Sequence, residues 1–174
     1  MADAATVPLS PAHAPKAASV EAFKSAWHEI KNEFHKCRQK WDEHEPEMFS
    51  RVAGHTDHDL LEGVDLEKAL VQVRTGESAY SPPMAASWRG RYGLHLFGKV
   101  KIEKVDDAYI FVRLFVGEGG KDVKVHCVHT SEDLATKKFN GIFHEKDQLE
   151  WFNEWSPQNE LFMGCLLLWI GIIR

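Results

Sequence analysis

Between residues 91 and 130 every second position is apolar or small, in three successive runs. Tyr92, Leu94, Leu96, Gly98, Val100 and Ile102 form the first, Ile110, Val112, Leu114 and Val116 the second, and Val123, Val125 and Cys127 the third. Strict alternation predicts strands with one buried face. The breaks at Val105-Asp106-Asp107 and Gly117-Glu118-Gly119-Gly120 read as hairpin turns, so the three runs form an antiparallel meander. Matching apolar to apolar sets Leu114 opposite Val123, Val112 opposite Val125 and Ile110 opposite Cys127. On the other side it sets Ile102 against Ile110 and Val100 against Val112, because a one-residue slip would turn the core side chains to water. The reverse face collects His95, Phe97, Lys99, Lys101, Glu103, Tyr109, Phe111, Arg113, Phe115, Lys124 and His126. Aromatics mixed with cations fit either a solvated face with stacked side chains or one wall of a ligand site.

Nearer the N-terminus the period is that of a helix. Phe23, Trp27, Ile30, Phe34, Cys37 and Trp41 recur at steps of four and three, one stripe of a helix capped by Ser19 and ended by Pro46. Burying one such aromatic contributes on the order of 1.5–3 kcal/mol, so the stripe is expected to lie across the apolar face of the meander. Asp65 is expected to cap a short helix that turns Leu66, Ala69, Leu70 and Val73 inward and stops at Gly76. Residues 77–90 hold Tyr80, Ser81-Pro82-Pro83 and Trp88; successive prolines forbid a helix, and the crossing is long enough for a lid or rim over a pocket. Residues 147–155 read as a helix with Leu149, Trp151, Phe152 and Trp155 on one side, or alternatively as a strand paired with residues 139–144. The almost wholly apolar 161–173 would reach about 20 Å as a helix, short of the ~30 Å bilayer core. It is expected to be a buried strand or helix, with membrane or partner contact as the rival reading. Residues 1–18, rich in Ala and Pro, read as a disordered tail, which leaves 19–174 as a single α+β domain.

Composition fits that outline. The chain has 174 residues, 44% hydrophobic and 27% charged, enough for a proper core. A formal charge of −5 argues against nucleic acid as a partner, since phosphate binding needs a basic surface. Lys99, Lys101, Arg113 and Lys124 remain as a local basic patch. Cys37, Cys127 and Cys165 are odd in number and unpatterned, which points to a reducing, cytoplasmic setting. N-terminal amphipathic helices on a curved antiparallel β-meander resemble, in outline, cone-shaped α+β folds of the nuclear-transport-factor type or a small calycin-like barrel. Such folds host lyases, isomerases, cyclases and pure binding proteins, so the likeness implies no particular activity.

The sequence carries no Walker loop, GxGxxG, GxSxG, HExxH or EF-hand pattern, and neither a cofactor nor a metal is expected. His55-Thr56-Asp57-His58-Asp59 offers two His and two Asp, but spacing forces no third ligand, and a polar loop with a capping Asp is the plainer reading. His129 continues the series Val123, Val125, Cys127 and should project inward; His95 stands on the mixed face. Two functions of different class follow. In the first, the protein binds a small apolar or aromatic metabolite and acts on it as a cofactor-free lyase, isomerase or cyclase. His129, His95, Asp57 and Tyr92 are then the catalytic candidates, with Tyr80, Trp88, Phe111 and Arg113 lining the ligand. In the second it is a non-catalytic lipid- or protein-binding module that uses its apolar C-terminus or aromatic-rich face. A homo-oligomer is compatible with either.

Overall fold

The computed structural model describes residues 9–44, 47–77, 93–120, 122–132 and 136–152. Helix α1 (Ala17–His44) starts slightly ahead of Ser19, whose N–H, with that of Val20, donates to Lys16 O. Its buried line runs through Phe23, Ala26, Ile30 and Phe34, while Trp27 is only half-buried. The stripe is thus rotated from the one expected, because Ala22 and Ala26 let the helix lie close and push Trp27 to the margin. Trp41 lies beyond the part of α1 whose side chains are described. A 3-10 turn (Ser50–Val52) sets Phe49 edge-on to Phe34, ring centroids 5.6 Å apart. Helix α2 (Asp57–Leu61) opens on a capping box: Asp59 N–H donates to Thr56 Oγ1, and Asp59 carboxylate accepts from Thr56 N–H. Helix α3 (Leu66–Ala69) is capped by Asp65, as expected, but is a single turn. Among the described residues no helix is long and apolar enough to cross a membrane.

The helix expected to run on to Gly76 is strand β1 (Leu70–Glu77). Leu70 pairs with Val100 and Gln72 with Lys99, so Val71 is an extra residue bulged out of the ladder and 39% exposed. The bulge lets Leu70 and Val73, three apart, both face inward, and that spacing imitates a helix. Strands β2 (Leu94–Lys101), β3 (Tyr109–Val116) and β4 (Val123–Val128) complete an antiparallel sheet in the order β1-β2-β3-β4. The expected registers are off by two residues: Val100 pairs with Ile110, Gly98 with Val112, and Leu114 with Val125. Two residues preserve side-chain parity, so the β2 and β3 faces are as the alternation indicates. On β4 a second bulge, at His126, sets Cys127 opposite Arg113 and Val128 opposite Val112. Val123 and Val125 therefore pack with the α1-side core, whereas Cys127 sits on the reverse face.

The sheet is open and forms no closed barrel among the described residues. One cause is visible at β1, whose outer edge is occupied by residues 9–13. Ser10 N–H donates to Thr75 O at 2.8 Å, and His13 and Val73 exchange backbone bonds at 3.1 and 2.9 Å. This part of the expected disordered tail serves as an edge cover. At the other edge, Glu29 of α1 accepts from Val125 N–H at 3.2 Å. A two-residue pair, β5 (Ser131–Glu132) with β6 (Phe139–Asn140), leads into residues 141–152, which cross the reverse face as an irregular strap. Residues 147–155 were expected as a helix or, alternatively, as a strand paired with 139–144; the described part, 147–152, is neither. Their carbonyls instead accept from sheet side chains, as described below, and those bonds take the place of a helix's internal ones. The apolar 161–173 and all but the first residue of the 77–90 crossing lie outside the described residues.

Gly98 locks α1 onto the sheet. A Cβ there would stand 2.2 Å from the Phe23 ring and 2.9 Å from Leu70 Cδ1. Gly98→Ala is expected to destabilise by about 1–3 kcal/mol as overpacking does, and Phe23→Leu combined with it should cost less than the two single changes added together. Urea denaturation of the four proteins checks this; strict additivity would contradict the contact.

Candidate functional site

The middle of the sheet's reverse face is buried, while Lys124 and His126 at its β4 margin are exposed. His95, Lys99 and Arg113 are 7%, 3% and 3% exposed, and Phe97, Tyr109, Phe111 and Cys127 are buried with them. Strand pairing arranges them in rows: Arg74, Phe97, Arg113 and Cys127 stand side by side across β1 to β4, and Lys99 lies beside Phe111 in the next row. The strap supplies the cover with Phe143, Leu149, Trp151 and Phe152.

Cations hold the strap down. Lys99 Nζ donates to Glu145 O and Asp147 O at 2.5 and 2.8 Å, Arg74 Nη1 to Leu149 O at 2.7 Å, and Arg113 Nη1 to Phe152 O at 2.8 Å. Its leading end is fixed by the Phe143–Tyr109 backbone pair and by Asp107, whose carboxylate accepts from His144 Nδ1 and Glu145 N–H. Those two bonds, His144 first, hold the Asp107 carboxyl below its usual pKa. The cations also lie on rings: Lys99 Nζ is 4.8 Å from the Tyr109 centroid, and the Arg113 guanidinium 4.4 Å from that of Trp151.

Between sheet and strap lies a box of near-parallel rings. Phe143 stacks over both Phe111 (4.2 Å, 10°) and His129 (5.1 Å, 3°), and Phe152 stacks on His129 at 4.2 Å. Beside the box, Trp151 meets Phe97 and His95 at 5.2 and 5.7 Å. His129 arrives here because the His126 bulge turns it, with Cys127, away from α1; its N–H donates to Phe111 O at 2.8 Å. Its inward projection holds, but into the second cluster rather than the core of Val123 and Val125. Two buried ring nitrogens, His129 Nδ1 and Trp151 Nε1, have no hydrogen-bond partner.

Of the eight expected site residues, four share this face: His95, His129, Phe111 and Arg113. Arg113 Nε donates to His95 Nδ1 at 3.3 Å, which places the proton of the neutral ring on Nε2. Asp57 is elsewhere. Its carboxylate bonds Arg38 (2.6 Å) and His35 on α1, the opposite side of the sheet, so it is not brought to either histidine. Tyr80, Trp88 and Tyr92 lie outside the described residues. Among those described, no group of three or more His, Cys, Asp or Glu could hold a metal ion. Sequence reasoning missed Arg74, Phe143, Trp151 and Phe152. For Arg74 the alternation of Val71, Val73 and Thr75 was the available signal; for the strap residues there was none, because their environment is set by cations remote in sequence. Comparison with known proteins finds no matching family model, no matching curated protein and no matching solved structure.

Burial lowers the pKa of His129 from 6.5 to about 4, and burial first, then the Arg113 charge, does the same for His95. Both are neutral in the fold and basic again on unfolding, so the unfolded chain binds more protons between pH 6.5 and 4. Stability is therefore complete above about 6.5 and falls as pH drops towards 4, by on the order of 2 kcal/mol per histidine at pH 5. His129→Phe is expected to remove roughly half of that loss. Urea denaturation at pH 7.5 and 5.0 checks it; an unchanged difference in the variant would contradict the burial of His129.

Proposed function

We propose that the protein binds a small planar aromatic ligand in the ring box between sheet and strap, as a binding protein rather than an acid–base enzyme. The observation that carries this reading is the pair of buried ring nitrogens, His129 Nδ1 and Trp151 Nε1, left without partners. An unmet buried polar group costs about 1–3 kcal/mol, and a ligand with a polar edge would offset that penalty while its ring extends the stack of Phe111, Phe143 and Phe152. Arg113 and Phe111, expected as ligand-lining, fit this role. A lyase, isomerase or cyclase has weaker support: a base with a pKa of about 4 accepts a proton poorly near neutrality, and Asp57 faces α1. Three cysteines at wide, unpatterned spacing, Cys37, Cys127 and Cys165, fit a reducing cytoplasm as the setting of this function.

Titration of the full chain with 2-naphthol, uncharged at pH 7, tests the reading. Saturable binding at one site per chain is expected, weakened about fivefold by His129→Phe, the worth of one ordinary hydrogen bond. Absence of saturable binding, or equal binding by the variant, would refute it.

A further inference from the structure

At the edge of the box, Lys99 is set up for a partner other than the one it has. Its Nζ lies 5.4 Å from the centroid of Phe111, the ring on which Phe143 stacks, so the amine borders the aromatic site. Among the described residues it finds at bonding distance only the backbone carbonyls of Glu145 and Asp147. Burial lowers the Lys99 pKa, and the carboxylates of Asp147, Glu145 and Asp107, farther off, offset only part of that. Two of them are engaged with the strap itself: Asp147 Oδ2 accepts from His144 N–H at 2.7 Å, and Asp107 from His144 and Glu145. Buried charges are normally paired directly, and an anionic oxygen in place of a carbonyl would add Coulomb attraction in a site shielded from water.

Resting on the ligand-site reading above, we propose that the ligand is an aromatic carboxylate. Its ring extends the Phe111–His129–Phe143–Phe152 stack at its edge, and its carboxylate takes Lys99 Nζ from the Glu145 and Asp147 carbonyls. The acidic turn 144–147 is then an internal surrogate for the anion and swings outward when the ligand arrives. That movement gives up the Asp107 bonds to His144 and Glu145 and is confined to the turn. Glu145 and Lys146 are exposed, while the Phe143–Tyr109 pair on one side and the Arg74–Leu149 bond on the other tether the ends.

The full chain is titrated with 2-naphthoate and 2-naphthol, one ring system with and without a carboxylate, while trypsin cleavage at Lys146 is followed. Naphthoate is expected to bind at least tenfold more tightly, and Lys99→Met to abolish that preference while retaining naphthol. Asp147→Asn, which weakens the turn at its bond to His144 N–H and removes a carboxylate near Lys99 while keeping the carbonyl that Lys99 uses, should tighten naphthoate alone. Naphthoate should accelerate cleavage at Lys146 several-fold. Equal affinity for the two probes, or cleavage that is slowed or unchanged by naphthoate, overturns the proposal and leaves the aromatic-ligand reading standing on naphthol binding. Binding of neither probe removes both.

Discussion

Lys99 and Arg113 are buried on a sheet of aromatic residues, and a buried cation is strongly unfavourable unless its N–H groups find acceptors. Here the acceptors include the carbonyls of the strap, with Arg74 contributing a further such bond from β1. Three strands thus each send one cation to the same short segment. The strap in turn brings Phe143, Leu149, Trp151 and Phe152 onto the face and makes a second apolar cluster of what would otherwise be solvated. That dependence is mutual: without the strap the cations are exposed, and without the cations the strap's carbonyls lose acceptor bonds that a helix would have satisfied internally.

The two bulges decide what lies on which side. At Val71 an extra residue turns Leu70 and Val73 together toward α1; at His126 another turns Cys127 and His129 away from it. The first completes the core beneath the helix. The second delivers an imidazole into the ring box, where it stays neutral because no charge beside it compensates for the lost water. The α1 side is held differently, by close approach at Gly98 and large apolar side chains, with Glu29 accepting from Val125 N–H at the sheet edge.

Much of this was legible in the sequence. The alternation in β2 and β3 separates the two faces correctly, and the mixed face of His95, Phe97, Lys99, Tyr109, Phe111 and Arg113 is the one that carries the candidate site. A two-residue error in register left that division intact, since parity repeats every two residues. β1 was misread because its bulge gives Leu70 and Val73 a helical spacing. His129 was rightly seen as inward but assigned to the wrong side, since a bulge leaves no mark in composition. The strap's aromatics, spaced like those of a helix, are irregular in the fold because their backbone is bonded to Arg74, Lys99 and Arg113. No local pattern encodes bonds to residues 39–75 positions away.

The central claim is that Lys99 is sealed beneath the strap with its ammonium bonded to backbone carbonyls. Nitrogen-15 NMR of protein labelled at lysine Nζ addresses it directly. One ammonium resonance protected from exchange with water, absent in Lys99→Met, is the expected result; rapid exchange of every lysine ammonium group would contradict the covered face and the site built on it.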